Sequence, residues 1–209
     1  MRDKIFDITI PTSAALACWP GDAPFRFQWT CRKADGESVN VGQVSMSVHT
    51  GTHTDAPFHF SDAGTTVEKL SLEPYIGLAR VIDVIGRPTI RREHLEPFDL
   101  SQTPRVLFRT DAWLDYRRFP ERIPTIEHDL PGWLARHGVI LIGVDVPSVD
   151  AIESEDLPIH HALGSHRIAI LESLCLAEVP EGVYELIALP LKLVGADGAP
   201  VRAILRSQE

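Results

Sequence analysis

The chain has 209 residues, of which 44% are apolar, and it carries a formal net charge of -9 at pH 7. That length and composition suffice for one well-buried core, and we expect a single domain over residues 1–209. The charges are scattered, without a dense basic run or an apolar run of transmembrane length, so we expect neither nucleic acid nor a membrane as a partner.

The first forty residues predict a strand followed by a long loop. KIFDITI at 4–10 has strand character, and Asp7 and Pro11 interrupt the apolar stretch that a secretory signal would need. Residues 11–40 are predicted to be a loop, with a high aromatic content: Trp19, Phe25, Phe27 and Trp29. A loop of this length in a compact domain indicates a functional element or an interface.

The rest of the chain predicts a central sheet with few helices. Strands are predicted at QVSMSV (43–48), LARVIDVI (78–85), RVLFRT (105–110) and GVILIGVDV (138–146), the last being typical of burial on both faces. Helices are predicted at TTVEKL (65–70) and around IEHDLPGWLARHG (126–138), where Gly138 stands at a C-cap position. Two further strands, YELIALPLKLV (184–194) and PVRAILRS (200–207), are joined by GADGA, a hairpin signal. We therefore predict a mixed, strand-rich α/β fold.

The cysteines are odd in number and have no CxxC spacing: Cys18, Cys31 and Cys175. Free thiols in a reducing compartment fit this pattern better than a disulfide framework does. We expect a cytoplasmic protein.

The segment VHTGTHTDAPFHF at 48–60 indicates a metal site. If the chain is extended here, residues taken by twos place His49, His53 and Asp55 on one face, and Pro57 ends the strand so that His59 can turn back. Imidazole and carboxylate together suit zinc, manganese or iron, and an open set is typical of a catalytic site. The alternative is a chance group of surface histidines.

A second group of candidate ligands lies in DLPIHHALGSHRIAILESL at 156–174, with His160, His161, His166 and Glu172. Glu172 follows the apolar run IAIL, and a buried carboxylate without a partner is costly. Pairing with a metal would remove that cost. The alternative is that Glu172 ends its strand in solvent.

HTGTHTDAPFH at 49–59 matches the pattern H-x-G-T-H-x-D-x-P-x-H in full, and the chain resembles the metal-dependent cyclase-like hydrolases, most closely their bacterial formamidase branch. The resemblance continues in GVDVPSVD (143–150), IHHALGSHRIAILESL (159–174) and ALPLKLVGADGAPVRAI (188–204), and so spans nearly the whole chain. It implies a swivelling β/β/α domain that assembles as a homodimer or larger oligomer.

The resemblance also implies roles for individual residues. His49, His53 and Asp55 would hold one divalent ion, and Asp55 would reach a second one completed by His160 and Glu172, with Glu172 touching both. The ions would be zinc, with manganese or cobalt as alternatives. The family's usual pattern, with a distance of twelve residues from this histidine to the glutamate, favours His160 over the adjacent His161, which remains an alternative.

By the same resemblance, His59 would transfer protons and Trp19, in the CWPGD loop, would line the substrate pocket. Phe25, Phe27 or Trp29 could supply further pocket walls, with core or dimer packing as the alternative. The implied reaction is hydrolysis of N-formyl-L-kynurenine to L-kynurenine and formate, in tryptophan degradation by the kynurenine pathway.

Two other functions fit the same motif. One is another amide or lactam hydrolase of the family, similar to the isatin hydrolases, and the other is a non-catalytic metal-binding module. The sequence contains no G-x-S-x-G, G-x-G-x-x-G or P-loop pattern, which disfavours a serine hydrolase and a nucleotide cofactor.

Overall fold

A nine-stranded mixed sheet organises residues 4–207, the part of the chain that the computed structural model describes. The strands are β1 (Ile5–Asp7), β2 (Arg26–Cys31), β3 (Val41–Ser45), β4 (His53–Asp55), β5 (Ile76–Asp83), β6 (Thr89–Ile90), β7 (Arg105–Arg109), β8 (Thr125–Ile126), β9 (Leu141–Val144), β10 (Ala169–Glu172), β11 (Gly182–Ile187), β12 (Gly198–Pro200) and β13 (Ile204–Ser207). The order in the large sheet is β1-β13-β11-β5-β7-β9-β10-β4-β12, and β2-β3 and β6-β8 form two small sheets.

The centre of the large sheet is parallel and its two flanks are antiparallel. Strands β5, β7, β9 and β10 run parallel to one another, whereas β11 on one side and β4 on the other run antiparallel to their neighbours. Because β1 pairs with β13, strands from both ends of the described chain share the sheet.

The parallel centre is covered on both faces, as the continuous apolar run at 138–146 predicted. In β9 every side chain is buried, and Ile142 belongs to one apolar core while Leu141 belongs to the other. In β7, Phe108 belongs to the same core as Ile142, and Leu107 belongs to the same core as Leu141. A strand between two cores needs apolar residues at every position, which removes the alternation seen in half-exposed strands.

Two α-helices, α1 (Leu130–Arg136) and α2 (Pro158–Ser165), pack on one face of the sheet. The helix predicted within 126–138 is therefore confirmed, and Gly138 follows its C-cap with φ +76°. The segment 65–70 forms only a single 3-10 turn. It is one of five short 3-10 helices in the described part of the chain: Lys33–Asp35, Pro57–His59, Val67–Lys69, Glu73–Tyr75 and Arg92–His94. Within residues 4–207 no helix combines the length and the apolar character needed to cross a membrane.

The prediction of a loop over residues 11–40 is wrong for the second part of that range. β2 pairs with β3 in an antiparallel hairpin, and Phe27 and Trp29 are each 49% exposed on it. RFQWTC at 26–31 alternates polar and apolar residues as a strand does, so the signal for β2 was present in the sequence and was missed, although the strand itself is exposed over almost its whole length.

Two other expectations about strands are also corrected. The strand predicted at 43–48 ends at Ser45, so the chain is not extended from Ser45 through His49. β11 and β13 do pair antiparallel, but GADGA (195–199) is not a tight hairpin between them, because β12 begins within it at Gly198 and pairs with β4. The glycines therefore mark a turn, but the strand after it joins the opposite flank of the sheet.

Candidate metal centre

The register between β4 and β10 brings two of the candidate ligands together. His53 and Glu172 are cross-strand partners, and Nε2 of His53 lies 3.4 Å from Oε2 of Glu172. Asp55 follows two residues after His53 and so shares its face, with Oδ1 3.3 Å from the same Nε2. All three side chains are buried. The solvent-exposed alternative for Glu172 is therefore wrong.

His49 reaches this group through a turn and not along an extended strand. The backbone N–H of Thr50 donates to the carbonyl of Ser47, and Gly51 has φ +70°, a conformation that favours glycine. The turn brings Nδ1 of His49 to 3.0 Å from Oδ1 of Asp55. The sequence pattern thus predicted the convergence of these side chains but assigned it to the wrong backbone conformation.

Helix α2 supplies His160 from the other side. Its ring is buried, and its Nε2 lies 3.4 Å from Oδ2 of Asp55 and 3.5 Å from Oε1 of Glu172. His161 is exposed, with its ring against Phe60. Of the two adjacent histidines, the structure brings His160 to the carboxylates.

The donor atoms form two groups that share the carboxylates of Asp55 and Glu172. Oδ1 of Asp55 and Oε2 of Glu172 face His49 and His53, whereas Oδ2 and Oε1 face His160. The donor distances of 3.0–3.5 Å within the groups are close to roughly 3.3 Å, the edge of a tetrahedron whose corners are about 2.0–2.1 Å from a central zinc ion.

Nε2 of His53 and both carboxylate oxygens of Asp55 are buried and have no hydrogen-bond partner among residues 4–207. Buried polar atoms normally have hydrogen-bond partners, so three such atoms that face one another without one indicate a binding site for a cation. Imidazole nitrogen and carboxylate oxygen are donors that zinc, manganese and iron accept. This buried group of histidine, aspartate and glutamate is able to hold a metal.

The electrostatics lead to the same conclusion. Burial lowers the pKa of both buried histidines, but neighbouring carboxylates outweigh it. Asp55 and Glu172 raise the pKa of His53 to about 10, and Asp150, Asp55 and Glu172 raise the pKa of His160 to about 12. Burial also opposes ionisation of Asp55, yet the adjacent histidines hold its pKa well below the ordinary value. The carboxylates therefore require positive charge, which either protons or a metal ion can supply.

His59 lies beside the two donor groups and belongs to neither. It ends the 3-10 helix Pro57–His59, its side chain is 31% exposed, and its ring centroid lies 4.1 Å from that of His49. Nδ1 of His59 lies 3.3 Å from Oδ2 of Asp197, and the same oxygen lies 2.9 Å from Nε2 of His49.

A cavity of about 470 Å³ opens over these residues. Trp19 lines it together with Trp113 and Phe119, and the rings of Trp19 and Phe119 meet edge to face at 5.2 Å. Phe25, Phe27 and Trp29 are not among its lining residues, and Phe27 and Trp29 instead pack against each other on the exposed hairpin. The lining thus combines aromatic side chains with candidate ligands such as His49, His53, His160 and Glu172.

A family model for the cyclases matches residues 6–151, more than half of the chain. The chain belongs to the Cyclase family. It is 48% identical over 200 residues, 96% of both chains, to the kynurenine formamidase of Bacillus cytotoxicus, and equally so to that of Bacillus cereus.

Solved structures show the same fold. A protein described as a predicted metal-dependent hydrolase from Bacillus stearothermophilus matches over 100% of both chains, with a TM-score of 0.81 and 28% identity. Isatin hydrolase A of Ralstonia solanacearum matches 99% of this chain and 92% of its own, with a TM-score of 0.83 and 23% identity. The expected mixed, strand-rich α/β fold of the cyclase family is thereby confirmed.

Sequence reasoning missed four residues at this Cyclase-family site: Asp150, Asp197, Trp113 and Phe119. Asp150 lies in GVDVPSVD and Asp197 in GADGA, two blocks that carried the resemblance without an assigned role. An aspartate between small residues was the available signal for Asp197. Nothing in the local sequence distinguishes Trp113 or Phe119 from core aromatics.

Proposed function

We propose that this chain hydrolyses N-formyl-L-kynurenine to L-kynurenine and formate, a step of tryptophan degradation by the kynurenine pathway. The observation that carries the proposal is the 48% identity over 96% of both chains to proteins named kynurenine formamidase. At 96% coverage, the region compared includes all the candidate ligands, the cavity wall and His59.

The proposed cofactor is a pair of divalent ions, zinc with manganese or cobalt as alternatives. His49, His53 and Asp55 would hold one ion, and Asp55, His160 and Glu172 the other, with Glu172 reaching both. The paired orientation of the two carboxylates, each with one oxygen toward each histidine group, supports this division. Two divalent ions bound close together lower the pKa of a shared water and polarise a carbonyl oxygen.

The proposed catalytic residue is His59. Hydrolysis of a formamide needs a proton removed from water and a proton delivered to the departing nitrogen, and one histidine can do both in turn. The position of His59 beside the donor groups, on the cavity wall and partly exposed, supports this role.

Trp19 is the proposed substrate-binding residue. The substrate has an aromatic ring, and rings pack well edge to face or offset on other rings. The edge-to-face pair of Trp19 and Phe119 in the cavity supports a wall for that ring.

We further propose that the chain acts as one domain over residues 1–209, as a homodimer in the cytoplasm. The pairing of β1 with β13 supports the single domain. Exposed apolar side chains on the β2-β3 hairpin, Phe27, Trp29 and Val44, support an interface between copies. The free thiols of all three cysteines support a reducing compartment.

The decisive experiment combines metal analysis with a substrate comparison. The purified protein is assayed on N-formyl-L-kynurenine and on isatin, before and after chelation and after zinc is restored. We expect kynurenine to form, its formation to stop on chelation, and zinc to restore it. Full activity in metal-free protein would refute the metal mechanism, and preferential opening of isatin would replace the formamidase by a lactam hydrolase.

A further inference from the structure

One carboxylate oxygen joins two histidines for which different roles are proposed. Oδ2 of Asp197 lies 2.9 Å from Nε2 of His49 and 3.3 Å from Nδ1 of His59. His49 is a proposed metal ligand and His59 the proposed proton carrier. Asp197 belongs to neither buried donor group around Asp55, so its contacts need a separate explanation.

The backbone holds Asp197 in this place. Its carbonyl accepts the N–H of Ala56 at 2.8 Å, and the next residue, Gly198, pairs with Asp55 in the register between β12 and β4. A Cβ at Gly198 would lie 2.9 Å from Cε1 of His49, so the glycine permits the close approach of this segment to the ring. Asp197 is thus tied to the strand that carries the candidate ligands.

The contacts of His49 determine which of its nitrogens can carry a proton. Its Nδ1 lies 3.0 Å from Oδ1 of Asp55 and faces the buried donor group. A neutral imidazole that uses Nδ1 as a ligand keeps its proton on Nε2, and such a proton is normally donated to a carboxylate, a backbone carbonyl or water. Asp197 is the carboxylate in reach of that nitrogen.

For His59 the same carboxylate would hold the proton on the other ring nitrogen, Nδ1. If Nδ1 donates to Asp197, the lone pair of the neutral ring is on Nε2, for which no hydrogen-bond partner occurs among residues 4–207. A histidine that must accept a proton from water needs this tautomer, and an aspartate on Nδ1 is a general means of holding it.

Stability is not a sufficient reason for this contact. The side chains of His59 and Asp197 are 31% and 41% exposed, and side-chain contacts this exposed contribute little to folding. What the contact can set is the orientation and the tautomer of the His59 ring.

We propose that Asp197 is a positioning residue that holds His59 in the tautomer with Nε2 free, while accepting the Nε2–H of His49. The inference rests on the proposed function, because the roles of His49 and His59 come from it. Asp197 lines the cavity, but in this proposal it acts through His59 and takes no part itself in bond making or breaking.

The test compares the zinc-loaded wild-type protein with Asp197→Asn by ¹⁵N NMR of the histidine rings, with the His59 signals assigned by their loss in His59→Asn. We expect the wild type to hold the Nδ1–H tautomer of His59, and Asp197→Asn to shift it toward Nε2–H. At saturating zinc, kcat should fall on the order of 10²-fold with a much smaller change in KM. Asp62→Asn, an exposed aspartate three residues after His59, serves as the matched control and should change neither.

An unchanged His59 tautomer in Asp197→Asn, or an unchanged kcat, overturns the proposal. Failure of the proposed function is distinguishable from this outcome. If the wild-type protein does not act on N-formyl-L-kynurenine, the proposed reaction fails, whereas the NMR comparison still decides whether Asp197 sets the tautomer of His59.

Discussion

Nδ1 of His160 lies 2.7 Å from Oδ2 of Asp150, while Nε2 of the same ring faces Asp55 and Glu172. Asp150 is buried and also accepts the backbone N–H groups of Ile159 and His160 at the start of α2. The carboxylate thereby fixes the helix, the ring and the tautomer together, so that Nε2 carries the lone pair a metal needs.

We expect Asp150→Asn to weaken metal binding at the His160 site about 10–100-fold, the usual effect of removing a carboxylate behind a ligating histidine. Loss of charge-assisted hydrogen bonds in a buried place should also lower the free energy of unfolding by roughly 1–3 kcal/mol. Zinc competition with a chelating dye and thermal unfolding measure the two effects. Asp156→Asn, an exposed residue in the same loop, is the control, and equal behaviour of the two variants would contradict the assignment.

His160→Ala should lose one of the two ions and most of the activity, whereas His161→Ala should keep both ions and the wild-type activity. The reason is that only His160 is buried against Asp55 and Glu172, and His161 faces Phe60 on the surface. Metal stoichiometry by elemental analysis and steady-state rates decide between them. If His161→Ala lost an ion and His160→Ala did not, the ligand of the second ion would be His161.

His59→Asn should keep near-normal metal content and fold but reduce kcat on the order of 10²–10⁴-fold, the span of general acid–base catalysis. KM should change much less, because the proton transfer belongs to the chemical step. His128→Asn, an exposed histidine outside the cavity lining, provides the control. Metal loss in the His59 variant would make it a ligand, and another proton carrier would have to be sought.

Trp19→Ala should raise KM with a smaller effect on kcat, since a wall of the cavity contacts the ground state and the transition state alike. Trp29→Ala removes an indole that is 49% exposed and outside the cavity lining, and it should leave KM unchanged. Kinetics on N-formyl-L-kynurenine test both. Should Trp29→Ala raise KM as much as Trp19→Ala does, the aromatic wall would include the hairpin, as the sequence had allowed.

Zinc binding to the metal-free protein should release protons at neutral pH. With the pKa of His53 raised to about 10 and that of His160 to about 12, both rings carry protons at pH 7 in the absence of metal. Histidine must be neutral to ligate, so each bound ion displaces protons and zinc affinity should rise as pH increases from about 6 to 9. Titration of zinc in weakly buffered solution with a pH indicator measures the release. An affinity independent of pH would show that these histidines do not ligate.

Local sequence patterns were sufficient for the features that depend on which face a residue occupies. The continuous apolar run in β9 predicted a strand buried on both faces, the Gly138 signal ended α1 correctly, and the charged Glu172 after an apolar strand indicated a buried carboxylate that needs a partner. These predictions hold because each rests on a local property: the length of an apolar run, the backbone freedom of a glycine, or the cost of burying a charge.

Contacts between distant segments were decided by the tertiary structure. His49 reaches Asp55 through a turn at Gly51. The packing of α2 against the sheet buries His160 and leaves the adjacent His161 exposed. Asp197, 138 residues from His59, meets it because β12 pairs with β4. No local pattern encodes which strand a segment will pair with, since that choice is made by the burial and hydrogen bonding of the whole sheet. The sequence by itself therefore determined the ligand types and the spacing of the motif, and only the folded chain decided which nitrogen and which oxygen face one another.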